Sequence, residues 1–74
     1  MPKLPRISGN EAIEVFKKLG FYQVRQKGSH VVMRKESKGC VIPRHKHLAI
    51  GTLKSAIQQA GITDEEFVTA FKEK

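Results

Sequence analysis

Two six-residue runs joined by a glycine turn constrain this chain more than any other feature. Phe21-Tyr22-Gln23-Val24-Arg25-Gln26 and His30 to Lys35 carry aromatic and β-branched side chains, and Lys27-Gly28-Ser29 lies between them. That spacing predicts a β-hairpin. A lone hairpin is marginal in water, so the remainder of the 74-residue chain must add a strand and cover one face of the sheet. A second turn signal around Ser37-Lys38-Gly39 leads to Cys40-Val41-Ile42, a third short strand. Pro43 ends it, because proline has no amide proton to give to a ladder.

The flanks read as helices. Ser8-Gly9-Asn10-Glu11 has the form of a capping box, in which the serine oxygen accepts from the Glu11 amide and the glutamate reaches back to the cap. Ala12, Ile13, Phe16 and Leu19 then fall on one helical face, and Gly20 is the expected stop. Gly51-Thr52-Leu53 opens a second helix with Leu53, Ala56, Ile57 and Ala60 on one face, stopped by Gly61. Thr63 to Glu66 is another capping box, with Ile62 placed to staple against Phe67, and Val68 and Phe71 continue that face. The order is α-β-β-β-α-α. It predicts a single α+β domain over residues 1–74, a three-stranded antiparallel sheet with its helices on one face.

Side chains alternate along a strand, so His30, Val32 and Arg34 share one face and Val31, Met33 and Lys35 the other. Val31 and Met33 are expected to pack on the helices. His30 and Arg34 then look out from the open face with Val32 between them.

A chain this short buries only about 60% of the surface its unfolded form exposes. Its site should therefore be an open surface suited to a polymer or a partner protein, not an enclosed cavity. Charge narrows the choice. Lys and Arg number 14 against 7 Asp and Glu, for a net charge of +7, and Glu36 is the only acid between Val15 and Thr63. A field of this sign attracts nucleic acid, an anionic surface or an acidic partner. The single cysteine, Cys40, excludes an internal disulfide framework and suits a reducing compartment. The first six residues lack the apolar run of a signal peptide, and no stretch is long and apolar enough to cross a bilayer. The expected location is the cytoplasm, with no membrane partner.

Histidine is the residue type in this basic region that exchanges protons near neutrality. Cleaving RNA requires a group to take a proton from the attacking hydroxyl, a donor for the leaving oxygen, and cations on the phosphate. His30 is a candidate for the first task, although an exposed histidine with no chemistry is the simpler reading of the residues alone. Gly28 suits a turn with positive φ and also lets a phosphate approach the backbone. Ser29 could bond a phosphate or merely complete the turn. His45-Lys46-His47 with Cys40 nearby lacks the close ligand pairs of zinc sites, so no metal and no cofactor are expected. Only Tyr22 and Phe21 lie on a strand, too few rings to suggest the stacking platform of an RRM-like single-strand binder.

Taken together, these residues resemble a known family. The capped helix ends in Leu19-Gly20-Phe21, followed by Gln26-Lys27-Gly28-Ser29-His30 and Val41-Ile42-Pro43-Arg44-His45. Gly51-Thr52-Leu53, Ile57, Ala60-Gly61-Ile62 and Glu66-Phe67 complete the set. Over nearly its whole length the chain is similar to the HicA (YcfA-like) toxins of bacterial and archaeal toxin–antitoxin pairs. The resemblance implies a double-stranded-RNA-binding-domain-like α-β-β-β-α fold and ribosome-independent cleavage of mRNA that arrests growth. It also implies a HicB antitoxin that masks the active surface. The family's catalytic histidine falls on His30. Charge and position nominate Lys27, Arg34 and Arg44 as phosphate contacts, whereas His45 matches a recurrent position of the family and is a candidate proton donor or phosphate contact. The alternative of a different class is a non-catalytic RNA-binding module using the same basic face.

Overall fold

In the computed structural model, which describes residues 3–73, the first helix forms where its capping box predicts. Met1, Pro2 and Lys74 lie outside the described residues, and the first two belong to the stretch read above for a signal peptide. Helix α1 spans Gly9–Lys18, with the Ser8 hydroxyl accepting from the Glu11 amide at 3.1 Å and the Glu11 carboxylate accepting from the Ser8 amide at 3.0 Å. These bonds occupy two donors that a helix start leaves free. Ala12, Ile13, Val15 and Phe16 are buried on one side, and Gly20 turns the chain away at φ 98°.

Strands β1 (Tyr22–Lys27), β2 (His30–Lys35) and β3 (Lys38–Pro43) form an antiparallel meander in the order β1-β2-β3. The bounds of β1 and β3 differ from the sequence reading, and Lys27, read as part of the turn, is the last residue of β1. Phe21 precedes β1 and is buried, its ring meeting Phe16 edge-on with centroids 5.4 Å apart. The core claims that ring, and β1 starts one residue later. The turn between β2 and β3 is only Glu36-Ser37, so β3 begins at Lys38, paired with Lys35, and extends through Pro43, paired with His30. The proline closes the strand as its last residue.

Helix α2 spans Ile50–Ala60 and ends at Gly61 with φ 72°, and α3 spans Asp64–Lys72 behind the Thr63–Glu66 capping box. The fold is α-β-β-β-α-α, an α+β arrangement with an open three-stranded sheet. All three helices contribute to one core with the inner face of the sheet, where Val31, Met33, Cys40 and Ile42 meet Ile13, Phe16, Leu53, Ile57 and Phe67. Ile62 and Phe71 pack on its margin. Each large apolar side chain fully buried here contributes about 1.5–3 kcal/mol. α2 lies mainly on β3, and its Gln59 side-chain oxygen Oε1 accepts from the outward-pointing Val41 amide at 3.2 Å, so that edge of the sheet is covered. β1 is the opposite edge, and all six of its residues are exposed.

Candidate nucleic-acid interface

Residues paired directly across an antiparallel ladder point to the same side. Val31 and Met33 point into the core, so His30, Val32 and Arg34 point away from it, as the alternation predicts. The ladder then assigns three rows to the helix-free face. Lys27, His30 and Pro43 form the first, Arg25, Val32 and Val41 the second, and Tyr22, Arg34 and Gly39 the third.

β1 joins this pattern only through an irregularity. The register shifts between Gln23 and Arg25, leaving Val24 as the extra residue. Gln23 is paired with inward Met33, while Arg25 is paired with outward Val32. Simple alternation from Tyr22 would have sent Arg25 and Lys27 to the helix side. The bulge brings both onto the face that carries His30 and Arg34, as bulges commonly re-aim side chains. It also turns Gln26 inward, opposite Val31.

The turn that delivers His30 is held from two directions. Gly28 sits at φ 60° with open space where a Cβ would be, so its glycine answers to backbone conformation and not to crowding. Its carbonyl accepts from Gln26 Nε2 at 2.8 Å, and the Ser29 carbonyl accepts from the Arg44 amide at 2.6 Å. Ser29 serves the turn through this backbone bond. His30 follows at once as the first residue of β2, exposed, with Lys27 and Pro43 as its ladder partners.

Arg44 is placed differently from the other nominated cations. Its guanidinium donates to Gln26 Oε1 at 3.0 Å, to Gln23 Oε1 at 3.3 Å and to Asn10 Oδ1. Gln23 and Gln26 are opposite inward residues, so this clamp bridges α1 and the helix side of β1 and does not join the face of His30 and Arg34. All three acceptors are neutral, so the charge of Arg44 is oriented but not cancelled. His45 is exposed on the next position, where its carbonyl accepts from the Gly9 amide at 2.9 Å. One residue, Arg44, separates it from Pro43, the ladder partner of His30. The structure thus gathers Lys27, His30 and Arg34 on one face, sets Gly28 and Ser29 at its rim, and places Arg44 and His45 on the adjoining loop.

Charge is divided between the two sides of the molecule. Among the described residues the ion pairs are Lys17–Glu14 at 3.3 Å and Lys54–Asp64 at 2.5 Å, both made by helical residues. No acid occupies a position on the outer rows of the sheet. Glu11 and Glu14 lie in α1, Glu36 in the β2–β3 turn, and Asp64, Glu65 and Glu66 in the first turn of α3. The cations of the sheet face are therefore free of carboxylates.

No group of three or more His, Cys, Asp or Glu residues among those described is arranged to hold a metal. Cys40 is buried in the core, and desolvation pushes its thiol up to about 12. It packs as a small apolar side chain and is no nucleophile at neutral pH.

Sequence reading missed Gln26, Asn10 and Gly9 as members of this region. Gln26 grips the turn carbonyl and Arg44 at once. Gly9 lets the start of α1 touch the exit of β3, since a Cβ there would lie 1.9 Å from the Pro43 carbonyl oxygen. Gly9 is the first residue of α1, where the cost of glycine in a helix interior does not apply, so its sequence position does not reveal the close approach. Nothing local marks Gln26.

A family model described as the HicA toxin of bacterial toxin–antitoxin systems matches residues 9–62 of the chain. The matched stretch runs from the start of α1 to just past α2 and contains the whole sheet. No curated protein matches the chain.

Proposed function

The chain belongs to the HicA toxin family, and on that premise we propose that it is a ribosome-independent endoribonuclease that cleaves mRNA with His30 as general acid/base. Its membership makes it the toxin of a toxin–antitoxin pair. The observation that carries the enzymatic reading is the exposed imidazole of His30 in a row with Lys27, on a sheet face bearing Arg25 and Arg34 and no acid. RNA cleavage needs that combination of a proton-transfer group beside cations that stabilise charge on the phosphate.

In the proposed step His30 takes the proton from a ribose 2′-hydroxyl as its oxygen bonds to the adjacent phosphorus. The bond from phosphorus to the 5′-oxygen breaks, and that oxygen leaves with a proton supplied by an acid, a role offered to His45 on the neighbouring loop. The products are a 2′,3′-cyclic phosphate end and a 5′-hydroxyl end. Lys27 and Arg34 contact phosphate from the sheet, and Gly28 and Ser29 admit it at the turn. Arg44 adds an oriented charge from the edge. No metal or cofactor is assigned a role. The partner is a HicB-like antitoxin that covers this face, and both act in the cytoplasm. No described helix is long and apolar enough to cross a membrane.

The test is His30→Ala. General acid–base groups contribute about 10²–10⁴-fold, so cleavage of a single-stranded mRNA fragment should fall at least a hundredfold. RNA affinity and Tm should stay near the parent values, because His30 is exposed. Wild-type products should end in a cyclic phosphate. A variant that cleaves as fast as the parent excludes the mechanism. Binding by the parent with no cleavage at all would support the binding module instead.

A further inference from the structure

We propose that Tyr22 is a base-stacking subsite, at which an unpaired base of the substrate lies on the phenol ring while its flanking phosphates run toward His30 over the cations of the sheet. This rests on reading the helix-free face as the RNA surface, and it adds a substrate requirement to that reading: a single-stranded stretch. Tyr22 is the most exposed large apolar side chain among the described residues, at 55% relative accessibility. Core packing does not explain it, since Phe16, Phe21 and Phe67 are buried together while Tyr22 stands outside. Among the described residues no other ring is stacked on it.

Its position is fixed by the ladder. Tyr22 is paired with Arg34, so the ring rises from the same face as His30, at the far end of the three rows. Arg34 Cγ lies 3.4 Å from where a Cβ on Gly39 would be, so the base of that side chain lies close to β3, where Gly39 leaves it room. His30 and Arg34 are four residues apart on β2, roughly 13 Å at strand rise. Between these ends lie Arg25 and Val32, and Lys27 stands beside His30.

An aromatic ring, a file of cations and the absence of acids together select the occupant. A ring stacks on the exposed π-face of an unpaired base, and the cations follow its phosphates. Duplex RNA keeps its bases stacked on one another and presents mainly phosphates and 2′-hydroxyls, so it would gain nothing from Tyr22. An acidic protein strand would satisfy the cations and the valines of this face, but it has no specific use for a planar ring.

The experiment measures binding in the His30→Ala background, which separates affinity from cleavage. The probe is a single-stranded oligoribonucleotide with 2-aminopurine at successive positions, compared with a fully paired duplex of the same sequence. Tyr22→Ala should weaken single-strand binding about tenfold or more. It should abolish the quenching of 2-aminopurine at one position and leave duplex affinity unchanged. Tyr22→Phe should restore affinity to within about threefold of the parent, because the ring and not the hydroxyl is at work. Tyr22→Leu, which keeps apolar area without a π-face, should behave like Tyr22→Ala. The inference is overturned if Tyr22→Ala binds the single strand as the parent does, or if leucine substitutes as well as phenylalanine. Loss of antitoxin affinity with RNA affinity intact would also overturn it, by assigning the ring to the protein partner. Because these readouts need no cleavage, inactive wild-type protein would count against His30 chemistry while leaving the stacking result interpretable.

Discussion

At the scale of single residues, the contacts that position the interface are made by side chains too small or too ordinary to announce themselves. Gly9 is the sharpest case. The first turn of α1 sits directly on the end of β3, where the Gly9 amide donates to the His45 carbonyl at 2.9 Å. A Cβ at this position would approach the Pro43 carbonyl oxygen to 1.9 Å and the Arg44 Cα to 2.9 Å, both backbone atoms that cannot swing aside. Gly9→Ala must therefore push α1 and the Pro43–His45 loop apart. Overpacking of this kind costs about 1–3 kcal/mol, and helix propensity returns at most about 1 kcal/mol of it. The expected result is a lower midpoint in urea unfolding together with reduced RNA cleavage. A Gly9→Ala protein as stable and active as the parent would show that the close approach is dispensable. The capping serine beside Gly9 was legible in the sequence, because a capping box is a contact between residues three apart. The reason for the glycine was not, because its neighbour Pro43 is 34 positions away.

At the scale of elements, the turns and strands show where period-two reading holds and where it fails. β2 is the central strand, with a partner on each side and a core beneath it, so one face must be apolar and alternation decides the facing of His30, Val32 and Arg34 correctly. β1 is an edge with no buried residue, and nothing in its composition reports the bulge at Val24. The facing of Arg25 and Lys27 follows from that bulge and only the ladder reveals it. The two hairpin turns differ in strain. Gly28 supplies the positive φ of the first turn, whereas the second places Glu36 at φ 58°. A non-glycine residue in the left-handed region costs about 1–2 kcal/mol, and glycine's greater freedom in the unfolded chain offsets about 0.4–1 kcal/mol of any gain from replacing it. Glu36→Gly should raise stability by about 0.5–1 kcal/mol. For a domain of this size that is a Tm rise of several degrees, since about 1 kcal/mol moves Tm by roughly 4–8 °C. The turn lies at the end of β2 opposite His30, so cleavage should be unaffected; calorimetry and a cleavage assay on one preparation test both statements. A fall in Tm would mean that the Glu36 side chain contributes more than its backbone costs.

At the scale of the whole molecule, the sheet has two faces of different character. The inner face and the helices close the core, which leaves the outer face with no structural duty beyond bearing side chains. The net charge of +7 was plain from composition, but composition does not say where the cations stand. Two of them pair with acids on helical residues, and Lys18 and Lys35 donate to backbone carbonyls at helix C-termini, Lys35 to Leu19 at 2.9 Å. Lysines at those ends also meet the negative pole of the helix dipole. Among the described residues Arg25, Lys27 and Arg34 make no such ion pair, and they occupy the outer rows. If these three neutralise phosphates, each contributes to the release of counterions from single-stranded RNA. The logarithm of affinity then falls with the logarithm of salt at a slope of about 0.7 per phosphate neutralised. Arg25→Ala, Lys27→Ala and Arg34→Ala, made in the His30→Ala background, should each lower the magnitude of that slope by about 0.7. The double variant Arg25→Ala/Arg34→Ala should lower it by about twice as much. Lys17→Ala is the matched control: it also removes one positive charge, but from an exposed ion pair in α1, and should leave the slope unchanged. Equal slope changes at Lys17 and at the three sheet positions would mean that RNA responds to total charge, and the sheet face would lose its claim to be the binding surface.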